Sequence, residues 1–376
     1  MIDVFALITE ARDRNGSDLH LVVDSPPLVR VRGGLEQLPL PPLEPRDTED
    51  ALTQLAQPAE RETFAQELEL DFGFTMPGVG RLRCNAAQQR GAISLAIRLL
   101  PPAIPTIDEL ELPQICKDLI AKPRGLAIVT GPTGSGKSTT LAAMIQHLNH
   151  TAAKHVVTIE DPIEYIHPSI KCAITQRQLG TDTRSFSQAL KHVLRQNPDV
   201  IMVGEMRDLD TAAAVLTIAE TGHLVLSTSH APSTYQALER IIDLFPPHER
   251  HLAQTRLASL LVGVLCQTLV PRSISDGRIA AVEIMLANAA VKNLVREGKI
   301  YQLPNVIRTS RDEGMITMDE ALVELYRREK VEKDSVFTYC NDADEVDRLM
   351  GGRARPKGAR RNPPTSGGGG TLSSFL

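Results

Sequence analysis

The chain has 376 residues, 42% of them hydrophobic, and a formal net charge of −5. This length predicts two domains rather than one core. The acidic balance and the absence of Trp argue against a nucleic acid as the main substrate. No apolar run approaches the roughly 18 residues of a membrane span, and the first residues lack the basic start of a signal peptide. Five widely spaced cysteines argue against a disulfide framework and a four-cysteine zinc site, so we expect a cytoplasmic protein.

Residues 1–100 have the pattern of a small α+β domain. A helical pattern over residues 4–12 precedes a strand over 17–23, and a turn at Gly33-Gly34 separates two short strands. A pair of helices over 47–69 and further strands complete this predicted domain. The prolines Pro101, Pro102 and Pro105 indicate a stiff linker over residues 101–113.

From residue 114 to about 350 strands and helices alternate. Apolar runs at 126–130, 155–159, 200–203 and 223–228 predict a parallel sheet that is buried on both faces. Ligands of such sheets bind at the carboxyl ends of the strands. A further apolar run around Cys266 is interpreted as a buried helix. Residues 351–376, with the basic string RARPKGARR and many Gly, Pro and Ser, predict a disordered tail or a docking site for a membrane or partner.

The most specific motif is GPTGSGKS at residues 131–138, which fits the P-loop pattern between a strand and a helix. Backbone N–H groups of such a loop, and the start of the helix that follows, bind phosphates. Lys137 is predicted to reach the β- and γ-phosphates, and the Ser138 hydroxyl to hold Mg²⁺. We therefore predict ATP and Mg²⁺ as cofactors. The predicted loop ligands are Gly131, Pro132, Thr133, Gly134, Ser135, Gly136, Lys137, Ser138 and Thr139.

Carboxylates follow two other predicted strands. Glu160, Asp161 and Glu164 follow the strand over 155–159, and Glu205 follows the strand over 200–203. A P-loop site needs carboxylates at this edge to organise the Mg²⁺ shell and to polarise the attacking water. We assign Glu160 and Asp161 to the metal, with Ser138, and Glu205 and Glu164 to catalysis. The alternative is that these groups cap helices or lie on the surface.

Two histidines bracket the strand over 223–228. His230 follows its carboxyl end and is predicted to sense the γ-phosphate. His223, at the start of the strand, is a second candidate ligand of the nucleotide. Either side chain could instead be structural.

The motifs EDPIEY (160–165), NPDVIMVGEMRD (197–208) and AETGHLVLSTSH (219–230) stand in this order behind GPTGSGKSTT. Together they resemble the ATPases of type II secretion and type IV pili. More narrowly, the chain resembles the pilus retraction, or twitching-motility, ATPases of the PilT family. The strings SDLHL (17–21) and PPLVRVRGGLEQL (26–38) are similar to the PAS-like domain of that family, and AVKNLVRE (290–297) to its AIRNLIRE motif. The four-cysteine motif of the extension ATPases is missing.

This resemblance implies a PAS-like domain at residues 1–100 and a RecA-like ATPase domain at 114–350, with ATP bound between them. It also implies a homohexamer in which arginines of the first domain lie near the phosphates. By motif position these are Arg81, Arg98 and Arg83, and Arg278 matches an interface arginine. The expected partner is the pilus platform protein of the inner membrane, which would hold the motor at the cytoplasmic face of that membrane.

Two other functions stay open from the sequence. The same fold could serve as an accessory retraction ATPase or drive secretion or DNA uptake. A nucleic-acid translocase or a regulatory nucleotide-binding module is a third possibility, which the acidic balance disfavours.

Overall fold

The computed structural model describes residues 2–31, 33–100, 103–275 and 277–351. Its first domain is an antiparallel sheet of six strands in the order β3-β2-β1-β6-β5-β4, with three helices. The elements are α1 (Val4–Asp13), β1 (Gly16–Leu21), β2 (Leu28–Val31), β3 (Gly34–Gln37), α2 (Pro45–Leu55), α3 (Pro58–Glu67), β4 (Glu69–Met76), β5 (Gly80–Gln89) and β6 (Ala92–Leu99).

Local sequence explains these boundaries. The Asp3 side chain accepts a hydrogen bond from the N–H of Ala6 and so caps α1, while Pro45 and Pro58 begin α2 and α3, where a missing N–H costs nothing. Val31 pairs with Gly34, so Gly34 belongs to β3 and not to the turn that the sequence predicts at Gly33-Gly34. The predicted α+β architecture of this domain is confirmed.

The second domain is built on a seven-stranded sheet in the order β13-β12-β7-β11-β10-β8-β9, in which all neighbours are parallel except β12 and β13. Its elements are α4 (Ile115–Ile120), β7 (Gly125–Thr130), α5 (Lys137–Thr151), β8 (His155–Glu160), β9 (Ala173–Gln178), α6 (Phe186–Val193), β10 (Val200–Val203), α7 (Leu209–Glu220), β11 (Leu224–Thr228), α8 (Thr234–Asp243), α9 (Arg250–Leu260), β12 (Leu261–Pro271), β13 (Arg278–Leu286), α10 (Ala289–Arg296), α11 (Leu303–Thr309), α12 (Met318–Arg327), α13 (Lys333–Tyr339) and α14 (Ala343–Leu349).

The central strands β7, β10 and β11 are buried along their whole length, as their unbroken apolar runs predict. Cys266 is fully buried, but it lies in β12 and not in a helix. The helical interpretation was wrong because a short apolar run has no periodicity that separates the two structures, and the β-branched residues around it favour a strand.

The connection between the domains is partly built into the second core. Ile107 is 1% exposed and Leu112 is 5% exposed, and both pack with residues of β7 and α5. Part of the predicted linker, at Ile107 and Leu112, therefore packs into the core of the second domain. Pro101, Pro102 and, apart from Gly351, the tail predicted at residues 351–376 lie outside the described residues.

The register of the sheet brings the motifs together. Val203 at the end of β10 pairs with Ile159 of β8 and Ser227 of β11, and Thr228 pairs with Val129 of β7. Four parallel strands therefore end side by side, and the segments that leave them meet at one edge. This is the edge at which open α/β sheets bind ligands.

Candidate nucleotide-binding site

A cavity of about 580 Å³ lies at this edge, between the two domains. Its walls come from the P-loop, the segment after β8, the segment after β10, the end of β11 and the first domain. The polar and charged residues that line it are Arg83, Arg98, Thr133, Lys137, Ser138, Thr139, Glu160, Asp161, Glu164, Tyr165, His167, Glu205, Arg207, Thr228, His230 and Arg278.

The P-loop owes its shape to glycines in backbone conformations that other residues rarely adopt. The φ angles of Gly131, Gly134 and Gly136 are 140°, 78° and 88°. A Cβ atom on Gly131 would lie 2.3 Å from the carbonyl oxygen of Gln267. The loop therefore needs glycine at residue 131 for space as well as for conformation.

Lys137 begins α5 and is buried within the loop. Its Nζ atom donates to the carbonyl oxygens of Gly131 and Pro132, both at 2.9 Å. Burial lowers the pKa of Lys137, and the Glu205 carboxylate opposes this shift. Gly131, Pro132 and Ser135 do not line the cavity and instead shape the loop, whereas the other predicted loop ligands line it.

Sequence reasoning missed Gln267 of β12, which is 2% exposed. Its amide nitrogen donates to the Ser135 carbonyl, and its amide oxygen accepts from the Thr140 hydroxyl at 2.8 Å. One side chain thus joins the P-loop to the first turn of α5. A glutamine in an apolar strand was the only sequence signal of this role, because buried polar groups need partners.

The segment after β8 is held by Gln176 of β9. Its amide nitrogen donates to Glu160 Oε1 at 3.1 Å and to the Tyr165 carbonyl at 2.8 Å, and its amide oxygen accepts from the His167 N–H. Glu160 also accepts from the Thr158 hydroxyl at 2.6 Å, and burial raises its pKa. The buried Glu160 is therefore positioned by fixed donors, while Asp161 and Glu164 line the cavity beside it.

Glu205 follows β10 and is 9% exposed. It forms an ion pair with Arg207, and its Oε2 atom lies 3.5 Å from Nε2 of His230. Burial and the Lys137 charge lower the pKa of His230, which favours a neutral imidazole at neutral pH. Asp208 does not join this group, since it caps α7 by accepting from the N–H of Thr211.

Two arginines of the first domain face the P-loop across the cavity. Arg83 of β5 and Arg98 of β6 are direct cross-strand partners, and Arg98 Nε donates to Asp18 Oδ1 at 2.9 Å. Like charges placed opposite each other destabilise a sheet, and the Asp18 carboxylate offsets this effect for Arg98. Their position suits them to phosphate oxygens, which arginine binds with a planar set of donors.

The structure does not bring two predicted ligands to the cavity. Arg81 lies on the same strand as Arg83, but its guanidinium binds Gln178, and it does not line the cavity. His223 stands at the amino end of β11, where its Nδ1 atom lies 2.9 Å from the Thr221 hydroxyl. That is the opposite end of the strand from His230, because a strand of this sheet presents only its carboxyl end to the site.

The residues fit a nucleotide with its magnesium ion. A Cβ atom on Gly134 would have open space around it, and the Ser135 hydroxyl is buried without a partner in the described residues. Ser138, Glu160 and Asp161 line one cavity, yet no group of three or more His, Cys, Asp or Glu among the described residues could hold a metal alone. One hydroxyl and two carboxylates suit Mg²⁺, which keeps waters and binds through few carboxylates and substrate phosphates.

The fold and site define a P-loop nucleotide-binding protein with a RecA-like domain. Residues 105–334 match the family described as "Type II/IV secretion system protein", and the chain belongs to this family of ATPases. It is 42% identical over 334 residues to the "Type IV pilus retractation ATPase PilT" of Pseudomonas aeruginosa, a match that covers 89% of this chain and 97% of that protein. It is 43% identical over 302 residues to the "Twitching motility protein" of Neisseria gonorrhoeae, covering 80% of this chain and 81% of that protein.

The solved structures agree with this assignment. The crystal structure of "the Pilus Retraction Motor PilT and Bound ADP" superposes with a TM-score of 0.86 at 39% identity, over 93% of this chain and all of that chain. The X-ray structure of the ATPase DotB of Legionella pneumophila superposes with a TM-score of 0.75 at 26% identity, and the match covers 90% of this chain and 95% of that chain. The PilT-family resemblance and the two-domain fold class predicted from the sequence are thereby confirmed.

Proposed function

We propose that this chain is an ATPase motor that retracts type IV pili. The observation that supports the proposal is the identity of 42% to a pilus retraction ATPase across 89% of the chain. The residues of the ATPase motifs also line one cavity. None of the helices in the described part of the chain has the length and apolar character needed to cross a membrane. The motor would act at the cytoplasmic face of the inner membrane through a platform protein.

The chain's own residues divide the work of hydrolysis. Lys137 and the P-loop N–H groups bind phosphate oxygens from one side, and Arg83 and Arg98 bind from the other. Mg²⁺, bound with ATP, would neutralise phosphate charge, with Ser138, Glu160 and Asp161 around its shell. Glu205 is in position to orient and polarise the attacking water, with Glu164 as the second candidate. His230 contacts Glu205, so it can report phosphate contacts to the catalytic carboxylate.

We further propose that six copies assemble into a ring and that Arg278 lies at the interface between neighbouring copies. Arg278 lines the cavity of its own chain from the start of β13. Assembly predicts that specific ATPase activity rises with protein concentration as rings form. Light scattering beside the assay tests this, and full activity in a monomer would contradict it.

The decisive experiment uses a deletion strain. The wild-type gene should restore twitching, whereas the Lys137→Ala gene should not. The purified Lys137→Ala protein should also have no ATP turnover. Twitching that is unaffected by the deletion would refute the retraction function. Stimulation of hydrolysis by DNA would favour a translocase instead.

A second candidate function is that of an accessory retraction ATPase. The chain is also 39% identical over 338 residues to the "Type IV pilus ATPase PilU" of Pseudomonas aeruginosa. A primary motor should restore retraction when it is the only retraction ATPase in the cell, whereas an accessory motor should need a second one.

A further inference from the structure

Arg81 connects the two domains at a point beside the nucleotide cavity. Its Nη2 atom donates to Gln178 Oε1 of β9 at 2.6 Å, and its Nη1 atom donates to Thr75 of β4 at 3.1 Å. The guanidinium is partly buried, and its Nε atom has no partner among the described residues. The side chain is therefore anchored on the first domain and points its other donors at the second.

Gln178 passes this contact to the carboxylate segment. The same Oε1 atom that binds Arg81 also accepts from the backbone N–H of Ile163 at 3.3 Å. Ile163 lies between Asp161 and Glu164, both of which line the cavity. The backbone N–H of Leu179, the next residue, donates to the Glu160 carbonyl at 2.8 Å. A displacement of Gln178 would thus move the backbone that carries three carboxylates.

The path of Arg81 depends on a glycine in the neighbouring strand. Gly73 of β4 lies under the guanidinium, and a Cβ atom there would stand 2.1 Å from Nη2 and 2.7 Å from Cζ of Arg81. Gly73 has an ordinary backbone conformation, so its lack of a side chain serves space and not flexibility. The sequence FGF at residues 72–74 therefore keeps a channel open for one arginine.

We propose that Arg81 is a positioning residue that acts through Gln178 on the segment 160–164, and not a phosphate ligand. When the first domain closes on the second, the bond from Arg81 fixes Gln178, and Gln178 fixes the N–H of Ile163. Glu164 and its neighbours then face the nucleotide in one arrangement. The proposal rests on the ATPase function given above and adds a link between domain closure and the carboxylates.

A double-mutant cycle on the full-length protein tests the link. Arg81→Ala and Gln178→Ala should each lower kcat about tenfold, with less than about twofold change in ATP affinity, since neither touches the phosphates. The double variant should also lose about tenfold, because both changes break the same connection. A hundredfold loss in the double variant, or a weakened ATP affinity with normal kcat in Arg81→Ala, would overturn the proposal.

Gly73→Ala gives an independent variant that keeps the arginine. The new methyl group should push the guanidinium off Gln178 and reproduce the loss of Arg81→Ala. Gly34→Ala is the matched control, because the nearest atom to its Cβ would be 3.7 Å away in an exposed strand. Normal turnover in Gly73→Ala would count against the link.

Hydrogen exchange separates this inference from the ATPase function. In nucleotide-free protein, amides in the segment 160–165 should exchange faster in Arg81→Ala and Gly73→Ala than in the wild type or Gly34→Ala. This readout needs no turnover, so it holds even if the protein fails to hydrolyse ATP. Unchanged exchange in both variants would refute the link.

Discussion

Glu205 and His230 come from neighbouring strands, and their side chains meet with 3.5 Å between Oε2 and Nε2. The carboxylate is nearly buried and is also paired with Arg207. The carboxylate of Glu205 therefore lies beside both a guanidinium and an imidazole, in the cavity that Lys137 also lines.

Glu205→Gln should separate nucleotide binding from hydrolysis. The amide keeps the shape of the side chain but cannot polarise water, so turnover should fall by about 10²-fold while ATP affinity stays near that of the wild type. Isothermal titration and a phosphate-release assay measure the two quantities. Glu164→Gln is the comparison, and a larger loss there with normal turnover in Glu205→Gln would move the catalytic role to Glu164.

His167 should make stability depend on pH. It is 7% exposed, its Nδ1 atom has no partner among the described residues, and burial lowers its pKa from 6.5 to about 4. Between pH 6.5 and pH 4 the unfolded chain binds the proton on His167 and the folded chain does not. The contribution of His167 to the free energy of unfolding is therefore fully present above pH 6.5 and is lost as the pH falls toward 4. The loss from this group is at most about 3 kcal/mol.

Urea unfolding at several pH values tests this contribution. His167→Gln should show a smaller fall in unfolding free energy between pH 6.5 and 4 than the wild type. The exposed His150→Gln should behave as the wild type does. Equal slopes in wild type and His167→Gln would show that His167 does not titrate in this way.

Gln267→Ala should weaken both the fold and the site. The change leaves the Ser135 carbonyl and the Thr140 hydroxyl without their partner and opens a cavity, which should cost about 2–3 kcal/mol of stability. ATP affinity should fall roughly tenfold, because the loop loses its fixed shape. Thermal unfolding and nucleotide titration measure these effects, with the exposed Gln66→Ala as control. A destabilised variant with normal affinity would limit Gln267 to folding.

Lys292 and Arg296 should separate hydrolysis from motion. Both belong to α10, in which Val291 and Val295 are fully buried while Arg296 is exposed. The two cations lie one turn apart, a mildly destabilising arrangement. Neither forms a close ion pair in the described residues, although Arg296 interacts electrostatically with Glu297. Replacing both by Ala should leave turnover and thermal midpoint nearly unchanged and abolish twitching.

Twitching at the wild-type level in this double variant would remove any output role from α10. A collapse of turnover would instead show that its charges serve the fold. Val295→Ala is a useful contrast, because loss of a buried side chain should lower the thermal midpoint as well.

The sheet of the second domain was predictable from the sequence because strands buried on both faces consist of consecutive apolar residues. The run predicted at 200–203 is β10 residue for residue, and the P-loop motif fixes its own neighbours. The roles of Gln176, Gln178 and Gln267 could not be predicted from the sequence. A glutamine in a strand gives the same sequence pattern whether its side chain faces solvent or a catalytic loop. Their roles depend on the order of the strands in the sheet, which the sequence pattern does not give.

The arginines show the same limit. Arg81 and Arg83 share a face of β5, as strand alternation requires, so motif position does not distinguish them. The structure separates them because Gly73 opens a path to Gln178 for one, while the other stands opposite Arg98 at the cavity. His223 failed to reach the site for a simpler reason, since it precedes its strand.

The two halves of the site rest on parts of the sheet that differ in how firmly they are held. The P-loop follows β7, which is paired on both sides by β11 and β12. Gln176 and Gln178 belong to β9, which in the described part of the chain pairs with β8 alone, at the sheet's edge. An edge strand opens locally at lower free energy than a central one. Opening β9 would release the carboxylates together while the phosphate-binding loop stayed folded, so the chain could keep a nucleotide bound while hydrolysis was blocked.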